Sequence, residues 1–247
     1  MSEVALVTGS SSGIGKGIAK ELIESGYIVY INGRNEETVK KTCLELGEMA
    51  KPLVYDMQNS KEIKKALEKI NSDEQKLSLV VGNIGSGRSI PGWNIPIEEY
   101  LRIFNINLFG AINLCTEATH HLKNRGGQII FISSIAGCES VNGAPVPYTT
   151  AKAGLLSFAK SYSFEVAKYK IRINTISPGN TLFEDSVWDK KLKEDKHSVK
   201  QYIEDNVALN TFIDPKDIGK TVLFLENTPT ITGSNIVVDG GQTRKFT

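Results

Sequence analysis

The chain of 247 residues predicts an α/β fold: a parallel sheet of about seven strands, wound on both faces by helices, in one domain spanning 1–247. Three observations predict it. Short runs rich in Val and Ile recur along the whole length, and longer segments with helical spacing of apolar residues separate them. Gly, or a Pro-Gly pair, punctuates several of the junctions.

The elements follow in order. Segment 4–8 is apolar without alternation up to its final Thr8, as expected for a strand buried on both faces. It begins almost at the first residue, so no secretory leader is expected. A glycine-rich turn leads into a helix over 14–25 that Gly26 ends. Strands are then expected at 28–32, 51–55, 77–81, 128–133, 172–177 and 235–239, and helices at 36–49, 61–71, 97–123, 148–169 and 215–225. Asp214-Pro215 supplies an N-cap and a first-turn proline for the last helix. Strict alternation of strand and helix implies right-handed parallel crossovers.

Segment 180–210 breaks the alternation. It follows Pro178-Gly179, is rich in Lys, Asp and Glu, and spaces Val199, Tyr202, Ile203 and Val207 as a helix would. Insertions at the carboxyl end of a strand in such a sheet lie where ligands bind. A substrate lid is expected there, the alternative being a surface helix already packed on the domain.

Composition excludes several classes. Lys and Arg number 29 against 28 Asp and Glu, and no basic block or basic-aromatic pattern points to nucleic acid. No apolar run approaches the roughly 20 residues that span a bilayer. Three cysteines, widely spaced and without a C-x-x-C pair, fit reduced thiols, so a soluble cytoplasmic protein with no metal site is expected.

Two motifs carry chemistry. Gly9, Ser11, Ser12, Gly13, Ile14 and Gly15 lie between the first strand and first helix, where glycines let backbone N–H groups approach a pyrophosphate. That context makes the turn a Rossmann-type dinucleotide site. Tyr148 and Lys152 stand four apart on a helix, so an ammonium can sit beside a phenol that otherwise titrates near pH ~10. With Ser134 upstream, the set describes a nicotinamide-dependent redox site for a carbonyl or alcohol. After the second strand, Gly33-Arg34 stands where NAD-preferring folds place an acid, which favours NADP(H) over NAD(H); the alternative is a surface Arg. Asp56, with Met57 beside it, either accepts from the adenine amine or closes a turn.

With these residues in view, the chain resembles the short-chain dehydrogenase/reductase family, in its compact branch, over its whole length. Residues 8–15 match the family's T-G-x-x-x-G-x-G turn; Asn83 and Gly85 match its N-A-G segment, and Pro178-Gly179 and the Asp239-Gly240-Gly241 end match later signatures. The resemblance implies a catalytic tetrad of Asn107, Ser134, Tyr148 and Lys152. Tyr148 would be the general acid or base, and Lys152 would lower its pKa and hold the nicotinamide ribose. Ser134 would bind the substrate oxygen, and Asn107 would hold a water for proton return. Asn83, Gly85, Pro178, Gly179 and Thr181 would join the cofactor site.

Departures from the pattern fall around the substrate. Ser134 and Tyr148 are one residue further apart than is usual, so 139–147 must absorb the extra residue, and Ser133 is a rival serine. Phe183 stands where the family often has a Thr that touches the carboxamide. Arg88, Trp93, Phe183 and Trp188 are candidate substrate contacts. The resemblance further implies a 3-oxoacyl thioester, ketone or sugar substrate and a homotetramer or homodimer. Subunits would pair through 97–123 and 148–169, with Cys115, Ala118, Ala153, Leu156, Ala159 and Lys160 available either to that contact or to the core. Lys123, Arg125, Lys168 and Lys170 form either a rim for an acidic acyl carrier protein or solvated helix ends. A catalytically weak nicotinamide-binding regulator and a sugar-modifying enzyme of the same family are the alternatives.

Overall fold

The structure, a computed structural model, describes residues 3–74 and 77–244, so the ends of the 1–247 span lie outside the described residues. Seven strands form the sheet: β1 (Val4–Val7), β2 (Ile28–Gly33), β3 (Ala50–Val54), β4 (Leu77–Gly82), β5 (Gly127–Ile132), β6 (Ile171–Pro178) and β7 (Asn235–Val238). They are parallel throughout, in the order β3-β2-β1-β4-β5-β6-β7. The order reverses beside β1, and this switch point places a crevice at the carboxyl ends of β1 and β4.

Alternation along the strands feeds two cores. Val4 and Leu6 join one cluster with α3 (Ser60–Glu74), α5 (Gly110–Leu122) and α6 (Val146–Val166), through residues such as Leu67, Leu114 and Leu155. Ala5 and Val7 join the other, under α1 (Gly13–Glu24), α2 (Glu36–Leu46) and α9 (Pro215–Glu226), with Ile18, Val39 and Val222. Asp214 caps α9 by accepting from the Lys216 N–H, with Pro215 in its first turn.

Two expected elements differ in detail. The helix over 97–123 is interrupted: α4 (Ile97–Phe104) passes through a π turn at Asn105–Phe109 before α5. The segment 180–210 holds two short helices, α7 (Val187–Glu194) and α8 (Lys196–Asn206), capped by Ser186 and Asp195. The interface candidates also divide. Cys115, Ala118 and Ala159 are buried in the core, whereas Ala153 and Lys160 face outward and Leu156 is half-buried. No helix among the described residues is long and apolar enough to cross a membrane.

Candidate active site

The glycine turn is fixed by side chains from the neighbouring strand ends. Asn32, buried at the end of β2, accepts from the Gly9 N–H at 3.1 Å and donates to the carbonyls of Leu53 and Tyr55 beyond β3. Ser10 donates to the Val7 carbonyl at 2.6 Å and accepts from the Asn32 N–H. Asn83 donates to the carbonyls of Thr8 and Gly9, and its own N–H bonds Thr8 Oγ1 at 2.8 Å. Asn83 therefore shapes the turn through its amide. Asn32 and Ser10 are not candidates on sequence grounds; their signal is polarity at the ends of otherwise apolar strands.

This turn fits a dinucleotide on two grounds. A Cβ at Gly15 would lie 2.3 Å from the Gly9 carbonyl oxygen and 2.7 Å from Asn83 Nδ2, so only glycine lets α1 start this close. The first turn of α1 has no capping side chain, since Ser12 makes no cap bond, and its N–H groups are available to an anion. A cavity of about 910 Å³ runs from Ser11, Ser12 and Ile14 past Gly33 and Arg34 to Asp56 and Met57. A Cβ at Gly33 would come within 2.9 Å of Ser11 Oγ and Val39 Cγ2, which excludes a carboxylate at that position. Arg34 is exposed and has no ion-pair partner among the described residues. Asp56 closes a turn, accepting from the Gln58 N–H at 3.0 Å through Oδ1, and Met57 is buried at the floor.

The structure brings Asn107, Ser134, Tyr148 and Lys152 together beside a second cavity of about 1020 Å³, which meets the first at Ile14, Gly85, Ser86 and Phe183. The π turn lets Asn107, fully buried, reach out of its helix. Its Oδ1 accepts from the Ser86 N–H at 3.0 Å, and its Nδ2 donates to the carbonyls of Ser86 and Ile103. Through these bonds Asn107 shapes the loop after β4. A Cβ at Gly85 would fall 2.7 Å from Asn107 Oδ1 and 3.1 Å from Lys152 Nζ, so the three converge within the width of one side chain.

Ser134 lies near enough to the Tyr148 hydroxyl to pull its pKa down, despite the longer spacing. Between them the chain turns where the Ala144 N–H bonds the Val141 carbonyl and Gly143 adopts φ 79°. Ser133 instead donates to the Lys152 carbonyl at 3.3 Å, which ties it to α6.

Lys152 is 4% exposed, donates to the Ile132 carbonyl at 2.9 Å, and lies 5.8 Å from the centre of the Tyr148 ring. Burial pushes Tyr148 above its ordinary pKa, while the nearby Ser134 pulls it down. Burial also draws the Lys152 amine down to about 8.

The second cavity is walled by the loop after β4, the turn at 141–145, and helices α7 and α8. Pro178, Gly179, Thr181, Phe183, Arg88 and Trp188 all line it. Thr181 turns its hydroxyl back on the Gly179 carbonyl. Phe183 lies on the glycine turn: a Cβ at Gly13 would meet its ring at 2.7 Å. Trp188 stacks on Tyr202 at 5.1 Å and tilts against Phe212. Trp93 is the exception, 90% exposed and lining neither cavity. Lys123 and Arg125, before β5, and Lys168 and Lys170, before β6, stand at the amino edge of the sheet, opposite the cleft. Among the described residues no three His, Cys, Asp or Glu side chains converge as metal ligands would.

Comparisons with known proteins point the same way. A family model described as Enoyl-(Acyl carrier protein) reductase matches residues 9–243. Carbonyl reductase family member 4 of Xenopus laevis is 34% identical over 242 residues, 98% of each chain. The 3-oxoacyl-(acyl-carrier-protein) reductase of Aquifex aeolicus is 31% identical over 246 residues, 97% of this chain and 96% of its own. A short-chain type dehydrogenase/reductase from Mycobacterium marinum superimposes with a TM-score of 0.86 at 25% identity, over 98% of this chain and 95% of the other. L-sorbose reductase from Gluconobacter frateurii, complexed with NADPH and L-sorbose, does so with a TM-score of 0.90 at 25% identity, over 99% and 98%.

Proposed function

The chain belongs to the short-chain dehydrogenase/reductase family, oxidoreductases of carbonyls and alcohols that use NAD(P)H, and on that premise we propose an NADPH-dependent carbonyl reductase with Tyr148 as its proton donor. The observation that carries the reading is that Ser134 and Tyr148 line one cavity, which meets the glycine-turn cleft, with the buried Lys152 amine 5.8 Å from the centre of the Tyr148 ring.

The α1 N-terminus and Gly9–Gly15 backbone would hold the pyrophosphate, and Arg34 the 2′-phosphate. A reduced nicotinamide supplies the hydride when bound. Ser134 holds the substrate oxygen and stabilises the negative charge that develops on it. Tyr148 passes its proton to that oxygen. A phenol raised by burial stays protonated at neutral pH, the state a proton donor needs. Lys152, charged below about 8, stabilises the phenolate left behind. The segment 180–210 acts as a lid, bringing Trp188 and Phe183 over the substrate.

Lys123, Arg125, Lys168 and Lys170 lie at the opposite edge of the sheet from this cleft, and we read the substrate as a small ketone, keto acid or sugar that enters by the cleft. A weakly catalytic regulator would have no use for this constellation. Exposed Leu101, Phe109 and Phe164 favour a homotetramer or homodimer through the α4–α6 face, which light scattering checks.

Tyr148→Phe tests the reading. It should lower turnover of a carbonyl that the parent reduces by roughly 10²–10⁴ or more, while NADPH still quenches protein fluorescence. Near-parental turnover would remove Tyr148 from its role.

A further inference from the structure

The loop after β4 is clamped from α4. Glu99, whose side chain is 10% exposed, accepts from Arg102 at 2.7 and 2.8 Å, from Ser89 Oγ at 2.7 Å and from the Ile90 N–H at 3.3 Å. Arg102 reaches on to the Arg88 carbonyl at 3.0 Å. These bonds hold the Glu99 carboxyl well below the usual carboxylate range, at about 2. On the other side of Arg88, its N–H bonds Ser86 Oγ, and Asn107 holds both backbone groups of Ser86. Between them Gly87 packs on the Tyr148 ring, a Cβ there lying 3.8 Å away.

Arg88 is therefore fixed on both sides, one residue from the contact with Tyr148. Arg102 has its carboxylate; Arg88 has none within ion-pair distance among the described residues, and it lines the substrate cavity. The carboxylates that line the same cavity, Asp185, Glu194 and Asp195, all belong to the lid, as does Lys191, which lies over Trp188 at 4.7 Å. The cavity is thus cationic on the Tyr148 loop and acid-rich across from it, a polarity that orients an anion toward the loop.

We propose that Arg88 selects a substrate carrying an anionic group, a carboxylate or phosphate, near the reacting carbonyl, and that Glu99 and Arg102 are the positioning residues that aim it. This deepens, and rests on, the carbonyl-reductase reading. A guanidinium donates two bonds in one plane to such a group, which both binds it and fixes the carbonyl against Ser134 and Tyr148.

The test uses matched substrates: short α- and β-keto acids, each beside its own methyl ester, with NADPH and the full chain. The parent should favour the acid by about tenfold or more in kcat/KM, mainly through KM, and the preference should shrink as salt rises. Arg88→Gln should cost the acid at least about tenfold more than the ester, and Arg88→Lys should recover part of the loss. Glu99→Gln should raise KM for the acid selectively, and in the Arg88→Gln background it should add little further acid-specific loss. Equal turnover of acid and ester, or equal losses on both in Arg88→Gln, overturns the proposal and leaves the reductase standing. No turnover of any carbonyl, acid or ester, overturns the reductase reading and this inference with it.

Discussion

The two halves of the cleft are built from opposite materials. The half under the glycine turn is backbone held by short polar side chains: Asn32, Ser10, Thr8 and Asn83 turn their polar groups onto neighbouring strand ends, and a Cβ at Gly15 or Gly33 would come within 3 Å of its neighbours. The half under α7 and α8 is side chains on short elements. No residue of α7 is buried, and α8 is held by Val199 and Ile203, with Val207 just beyond it. The first half suits a partner whose shape never varies. The second can change its lining without disturbing the sheet, which is what substrate choice requires.

The sharpest way to break this contrast is to add one methyl group. Gly15→Ala should cost on the order of 3 kcal/mol of stability and abolish tight NADPH binding, because backbone, not a flexible side chain, stands in the way. Urea unfolding and a fluorescence titration check both; parental values would mean that the turn gives.

Lys152 marks the boundary between the halves. Its amine lies at about 8 in the fold against an ordinary 10.5, so stability gained with the neutral amine is present above 10.5 and lost as pH falls through about 8. Lys152→Met should therefore be more stable than the parent at pH 7, by about 1–3 kcal/mol, and inactive. Thermal melts across that range should show the advantage vanish above 10.5; an advantage independent of pH would assign it to packing alone.

Arg34 is the exception inside the rigid half, a free side chain at its rim. Arg34→Ala should weaken NADPH by about tenfold to a hundredfold and NADH little, with an unchanged melting temperature. Equal affinity of the parent for the two cofactors would contradict the role. The smallest effect concerns the lid. Backbone hydrogen exchange over 180–210 should be faster than over β1 and α1 in the free protein and slow when NADPH is added. Uniformly slow exchange, unchanged by cofactor, would make this segment a fixed surface.

How much the sequence disclosed follows the same division. The seven strands and their parallel direction were legible because buried strands and glycine turns admit few residue types at fixed spacings, whereas the candidate tetrad came from the family resemblance. The π turn was not, since Asn105–Phe109 keeps the apolar spacing of an ordinary helix. The burial of Lys152 against the Ile132 carbonyl, and the control of the Tyr148 phenol by burial, depend on packing between elements far apart in the chain. Trp93 looked like a contact by its place in a site loop, yet the loop turns it to solvent. The surface cations Lys123, Arg125, Lys168 and Lys170 could be placed only once the direction of β5 and β6 was known.

The π turn has a further consequence when the helix is considered as a dial. Each residue of an α-helix advances the side-chain direction by about 100°. The widened turn at Asn105–Phe109 is in effect one residue inserted between the face that carries Glu99 and Arg102 and the face of α5 that packs on the sheet. Deleting a single residue there would restore an even helix and rotate everything upstream by that angle. Glu99 and Arg102 would then point away from Ser89 and Arg88. The phase of one helix thus ties where Asn107 reaches to what holds Arg88, and neither can be reset alone.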